Sequence, residues 1–224
     1  MSFWWRQLVG YHFGTFLYPT LTSIIMPAYR ELPGGVAKQI QCPEFTIHLH
    51  WFIHHYITSS GSLSPIPDSN LPNYNNKINI YTSAISLFYT PSDLSGVGGM
   101  HHEHICAMPS WHKGPAQYDT MLINADSQLE GMRGMEVAHV HLLFSFMYDE
   151  CTYPCAYVDW YTLEEDGPDA DTGMWIATPD RDHSAVIHLD AIICCCDSEL
   201  GSYPGQVMQC QGSLGLLLVV CSVA

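Results

Sequence analysis

His101, His102, His104, Cys106 and His112 fall within one short segment, MHHEHICAMPSWHKG. Imidazole and thiolate are the ligands of tetrahedral zinc, so the number of donors suffices for a metal. The spacing argues against one: the segment has no C-x-x-C or H-x-x-x-H half-site, and ligands packed this tightly along a chain point in different directions. His102, His104, Cys106 and His112 therefore stand as a disfavoured metal set, and no cofactor is expected. His50 and His54 are four residues apart in a helical segment, but Trp51 occupies the position where a zinc protease needs Glu.

The acidic turn with Glu164, Glu165, Asp166, Asp169 and Asp171 has the wrong intervals for a calcium loop. Carboxylates confined to one turn also do not make the separated triad of a phosphoryl-transfer site. Beside this turn stand Tyr157, Trp160, Tyr161 and Trp175. Aromatic faces next to carboxylates attract cations. Tyr157, Trp160, Tyr161, Asp171 and Trp175 thus form a candidate site for a basic peptide such as a histone tail, set against the ordinary use of large aromatics as core. Ser145 and Ser184 lack a nucleophile-elbow context, and the Cys151 and Cys155 spacing fits neither a redox pair nor a zinc half-site. No catalytic constellation emerges, and a non-enzymatic protein is expected.

The elements that must position these residues are mainly β. Runs at 118–124, 137–148, 153–163, 173–178 and 185–193 are rich in β-favouring residues and separated by compact polar turns. Short connections between them predict a small antiparallel, barrel-like β domain over 78–193. Residues 1–57 read as a partly helical lead-in. In it Val36 to Gln41 make a helical turn, Pro43 opens a second helix, and Phe45, Leu49, Phe52, Ile53 and Tyr56 share one face. The Ser-, Pro- and Asn-rich stretch 58–77 reads as a linker, and 194–224 as a divergent, poorly ordered tail. The fold class expected is α+β, mainly β.

Composition bounds the partners. Seven Lys and Arg against 22 Asp and Glu give a formal charge of -15, which repels a phosphate backbone, so direct nucleic-acid binding is not expected. The apolar run 214–224 is too short to span a bilayer, and no membrane partner is expected. Nine Cys, three of them the consecutive Cys194 to Cys196, do not look like a secreted disulfide framework, so an intracellular setting is expected.

The blocks TPSDLSGVGGM, PSWHKG, YDTMLIN, EGMRGMEVA, YPCAYVDWY, GPDADTGMWIATPD and AVIHLDAI closely resemble, in order and spacing, the C-terminal region of proteins encoded by fungal DNA transposons. The likeness is to Plavaka-type elements of basidiomycetes, near the Kyakuja, Dileera and Zisupton groups. In that family the DNA-cutting acidic core lies upstream. The resemblance therefore implies a non-catalytic accessory domain, nuclear, with protein partners in a transposition or chromatin complex. Relatives carry Arg at several positions that are His or Cys here, His139 among them. Single transitions turn CGN codons into His, Cys, Gln or Trp codons, so the histidine excess reads as mutational residue. A His-rich metal-binding protein is the remaining alternative.

Overall fold

The computed structural model describes residues 21–24, 27–58, 71–89, 100–110, 115–126, 128–129, 131–164, 167–170, 175–199, 206–212 and 215–221. His112, Asp171, the GVGG turn and most of the expected linker lie outside them, as does the side chain of His102. The expected class holds: the protein is α+β and mainly β.

Thirteen strands are described. One sheet orders β1 (Leu21–Ile24), β4 (Ser83–Tyr89), β5 (Met100–Met108) and β6 (Gln117–Tyr118). The other contains β2 (Tyr29–Glu31), β3 (Ile78–Tyr81), β7 (Thr120–Asn124), β8 (Met135–Tyr148), β9 (Cys151–Leu163), β10 (Trp175–His188), β11 (Ile192–Glu199), β12 (Gln206–Gly212) and β13 (Gly215–Cys221). Its pairings run from β8 through β7, β11, β12, β13, β10 and β9, and β9 pairs back onto β8. This closes a ring of seven strands. All its pairings are antiparallel except β10 with β13, which is parallel. Residues past Ile193, expected as a tail, supply β12, β13 and most of β11. The strand expected at 173–178 and the first part of the one expected at 185–193 are instead one long β10, interrupted by an excursion between Pro179 and Ser184, while Leu189–Ala191 turn and Ile192 opens β11.

The β8–β9 hairpin is the longest local pairing, and its last pair is Tyr148 with Cys151. The two connecting residues, Asp149 and Glu150, have φ of 46° and 64°. A two-residue loop with both φ positive is the type I′ turn that matches strand twist. Pro154 lies where β9 has β8 as a partner but β10 pairing has not begun, which fits a residue without a backbone donor. Gly134, just before β8, is required by close approach: a Cβ there would run into the Asp126 and Leu129 carbonyl oxygens.

Two helices cover one face of this hairpin. α1 (Pro33–Gln39) has Pro33 in its first turn, and α2 (Phe45–Phe52) begins two residues after Pro43, which belongs to the preceding turn. Phe45, Leu49, Phe52 and Ile53 are buried as their spacing predicts. Tyr56 is 45% exposed because α2 widens into a π-helical turn, Ile53–Thr58, that rotates it off the buried face. It stacks on His188 of β10 instead. The helices and the β region share one core of Val36, Phe45, Leu49, Leu142, Phe144, Phe146 and Tyr157. The expected boundary at 58–77 therefore does not separate two cores.

The turn carries the first prediction. Neither Asp149 nor Glu150 is the glycine that positive φ favours, and a non-glycine residue there costs about 1 kcal/mol. Glu150→Gly should raise the denaturation midpoint by an equivalent of about 1 kcal/mol. A lower midpoint in chemical denaturation would contradict this turn geometry.

Candidate functional site

A single extra residue shapes the face beneath the helices. Along β8 and β9 the partners are Val137 with Tyr161, Ala138 with Trp160, His139 with Asp159 and Val140 with Val158, and then Leu142 with Tyr157. His141 is thus the extra residue of a β-bulge. Without it, strand alternation would turn Leu142, Phe144 and Phe146 away from the face that carries His139. With it, His139, His141 and these three apolar residues all lie toward the helices. Ala138, Val140 and Leu143 pack in the opposite cluster with Met121, Ile123, Ala156 and Val158.

Register then builds a polar row across four strands. Thr120 on β7 pairs with His139, His139 with Asp159, and Asp159 with Ser184 on β10. Thr120 Oγ1 and His139 Nδ1 are 3.3 Å apart. Ser184 Oγ donates to Asp159 Oδ1 at 2.6 Å, and His141 Nε2 meets Asp159 Oδ2 at 2.6 Å. His48 Nδ1 of α2 lies 3.3 Å from the Tyr157 phenol oxygen.

An ionised carboxylate only accepts, which fixes the direction of the chain. His141 carries its hydrogen on Nε2, and Ser184 gives its one hydrogen to Asp159. Burial alone would push the Asp159 carboxyl up, but the hydrogen bonds from His141 and Ser184 outweigh it and hold Asp159 below its ordinary range. Burial, and next the neighbouring His141, lower His139 to about 4, so its ring is neutral at pH 7. Burial raises the Tyr157 phenol to about 12, and it stays protonated.

This order does not activate a nucleophile. In a hydrolase triad the imidazole stands between serine and carboxylate and takes the serine proton. Here the carboxylate stands between them, and the Ser184 hydrogen points at Asp159.

The aromatic residues expected to bind a basic peptide are split between two faces. Tyr157 is fully buried in the helix-covered core, whereas Trp160 packs with the opposite cluster. Tyr161 follows Tyr157 by strand alternation, and the pairing of Ala177 with Leu163 brings Trp175 to that same face. Tyr157 and Trp160 therefore do not line one cage.

Of the metal set, His102, His104 and Cys106 alternate along β5. His104 is exposed and Cys106 is buried. The Cys106 N–H donates to Asp119 Oδ2 at 2.6 Å, and burial and then the Asp119 charge push the thiol up to about 11. A thiol held protonated in this way is a poor ligand. Among the described residues no group of three or more His, Cys, Asp and Glu side chains is placed to hold an ion. His50 accepts the Tyr74 N–H on Nε2, which engages that nitrogen. The sequence signal for the polar row was the H-x-H of VAHVHLL on a strand. Asp159 and Ser184 carry none, because only register brings them there.

Comparison of the chain with protein-family models and with curated proteins gives no match.

Glu136 occupies the other face, across from the fully buried Ile123. Burial raises its carboxyl to about 7. The unfolded chain loses this proton near pH 4.5 and the folded chain only near pH 7, so stability falls as pH rises between those values and is flat above. Glu136→Gln should remove that slope and stabilise the protein by about 1–2 kcal/mol at pH 8. Denaturation of both proteins at pH 4 and pH 8 checks this, and an equal difference at the two pH values would contradict it.

Proposed function

We propose that this chain is a non-enzymatic accessory module of a transposon-encoded protein. The support is the resemblance of its ordered blocks to that family, together with one feature of the polar row. The described residues of four of the blocks, EGMRGMEVA, YPCAYVDWY, GPDADTGMWIATPD and AVIHLDAI, fall on β8, β9 and β10 and their flanking turns.

Position 139 carries the argument furthest. The resembled family implies Arg where this chain has His139, and His139 stands directly across from Asp159. An arginine there faces a carboxylate across a strand pair, an arrangement that stabilises a sheet. On this reading Asp159 would have been the partner of that basic residue. The Asp-centred order of His141, Asp159 and Ser184 agrees with a protein that does not activate a nucleophile.

No described helix is long and apolar enough to cross a membrane. With a charge of -15 the module is expected to meet its complex through protein rather than DNA, inside the nucleus. A histone-tail reader gains no support from the split of Tyr157 and Trp160.

His139→Arg should restore the ion pair and raise stability by about 1 kcal/mol, read as an increase in Tm with the fold unchanged by circular dichroism. A fall in Tm would count against an arginine ancestor. The accessory reading itself is tested by the flanking genomic sequence. An upstream acidic nuclease core and terminal inverted repeats are expected, and their absence together with a His139 codon more than one transition from CGN would overturn it.

A further inference from the structure

His139 and His141 lie two positions apart on β8, and their rings stand 5.2 Å apart at 84°. Each ring already has one nitrogen engaged by an outer partner: His139 Nδ1 meets Thr120 Oγ1, and His141 Nε2 meets Asp159 Oδ2. This is how metal-binding histidines are held, with a hydroxyl or carboxylate fixing the tautomer and orientation of the ring. The remaining nitrogens are His139 Nε2 and His141 Nδ1, and both residues are half-buried rather than sealed from solvent.

Ring spacing makes the point quantitative. With metal–nitrogen bonds of about 2.05 Å and a ring centre about 1.15 Å beyond each nitrogen, two imidazoles on one tetrahedral ion have centres about 5.2 Å apart. The observed separation of 5.2 Å meets that requirement, within the range that edge-on ring pairs also span. The bulge is what permits it, because it delivers both rings to one face beside Asp159.

We propose that His139 and His141 form a two-imidazole site for a divalent first-row transition ion of the zinc class. Asp159 and Thr120 act as positioning residues that hold the two rings. No third His, Cys, Asp or Glu side chain of the described residues completes the set, so water or an exogenous ligand fills the remaining positions. The chain's charge of -15 favours the approach of a cation. The site differs from the His102, His104, Cys106 and His112 segment. It concerns what the present side chains hold, whatever residue preceded His139.

The test is calorimetric titration of the whole chain, kept reduced, with Zn²⁺ at pH 7.5, comparing wild type with His139→Gln, His141→Gln, Asp159→Asn and, as a control, His104→Gln. One saturable site is expected in wild type and in His104→Gln. Affinity should fall at least about tenfold when either ring is replaced, and about 10–100-fold in Asp159→Asn, as for other outer-partner substitutions. Circular dichroism identifies any variant that fails to fold. His141 is 28% exposed, so His141→Gln carries the test should His139→Gln unfold. Co²⁺ in place of Zn²⁺ should give the visible bands of a tetrahedral nitrogen-ligated ion, lost in His141→Gln. Absence of saturable binding, unchanged affinity in both ring variants, or a thiolate-to-cobalt charge-transfer band placing the ion on cysteine would each overturn the proposal.

Discussion

The β-bulge at His141 is the constraint on which the rest of this structure depends. A strand exposes alternate residues to alternate faces, so a single extra residue reverses the assignment of everything beyond it. On β8 that reversal changes which residues serve the helix-covered face. Before it the face takes Val137 and His139, and after it Leu142, Phe144 and Phe146. The same insertion lets one strand meet β7 with its first half and β3 with its second, so the ring and the β2–β3 flank share β8.

Packing explains why the bulge is tolerated. Phe45 of α2 contacts both Phe144 and Tyr157 edge-on, with ring centres 5.4 Å and 5.2 Å apart. Phe52 and Tyr74 meet Phe146 in the same way. These aromatic contacts need the even-numbered residues after His141 to point at the helices. Burying side chains of this size contributes about 1.5–3 kcal/mol each. A bulge that gathers three of them outweighs the ladder hydrogen bonds it disrupts. The polar row survives at the rim of this core because Asp159 accepts from two donors and leaves no buried charge unpaired.

Much of the fold was legible in the sequence. The β-favouring runs at 137–148 and 153–163, with the polar DECT turn between them, predict the hairpin closely. Phe45, Leu49, Phe52 and Ile53 predict the buried face of α2. Tyr56 was misplaced because helical periodicity does not foresee a π-turn. The bulge has no mark in the apolar pattern; it shows only in the structure, where the consecutive residues His141 and Leu142 both turn to the helix-covered face. Residues 194–224 read as a divergent tail because the family resemblance stops at Ile193, yet they contribute strands that close the ring. The polar row was illegible for a different reason: Thr120, His139, Asp159 and Ser184 come from four strands, and chain spacing holds no trace of their register. The dense His and Cys segment on β5 drew attention by composition, while the better-positioned imidazoles were the two on β8.

The register itself is the most direct thing to measure. Nuclear Overhauser contacts between backbone protons across β8 and β9 should pair Val140 with Val158 and Leu142 with Tyr157, leaving His141 unpaired. An uninterrupted ladder, with His141 opposite Tyr157 and Leu142 opposite Ala156, would contradict the account. It would put Phe144 and Phe146 on the wrong face and dissolve the site.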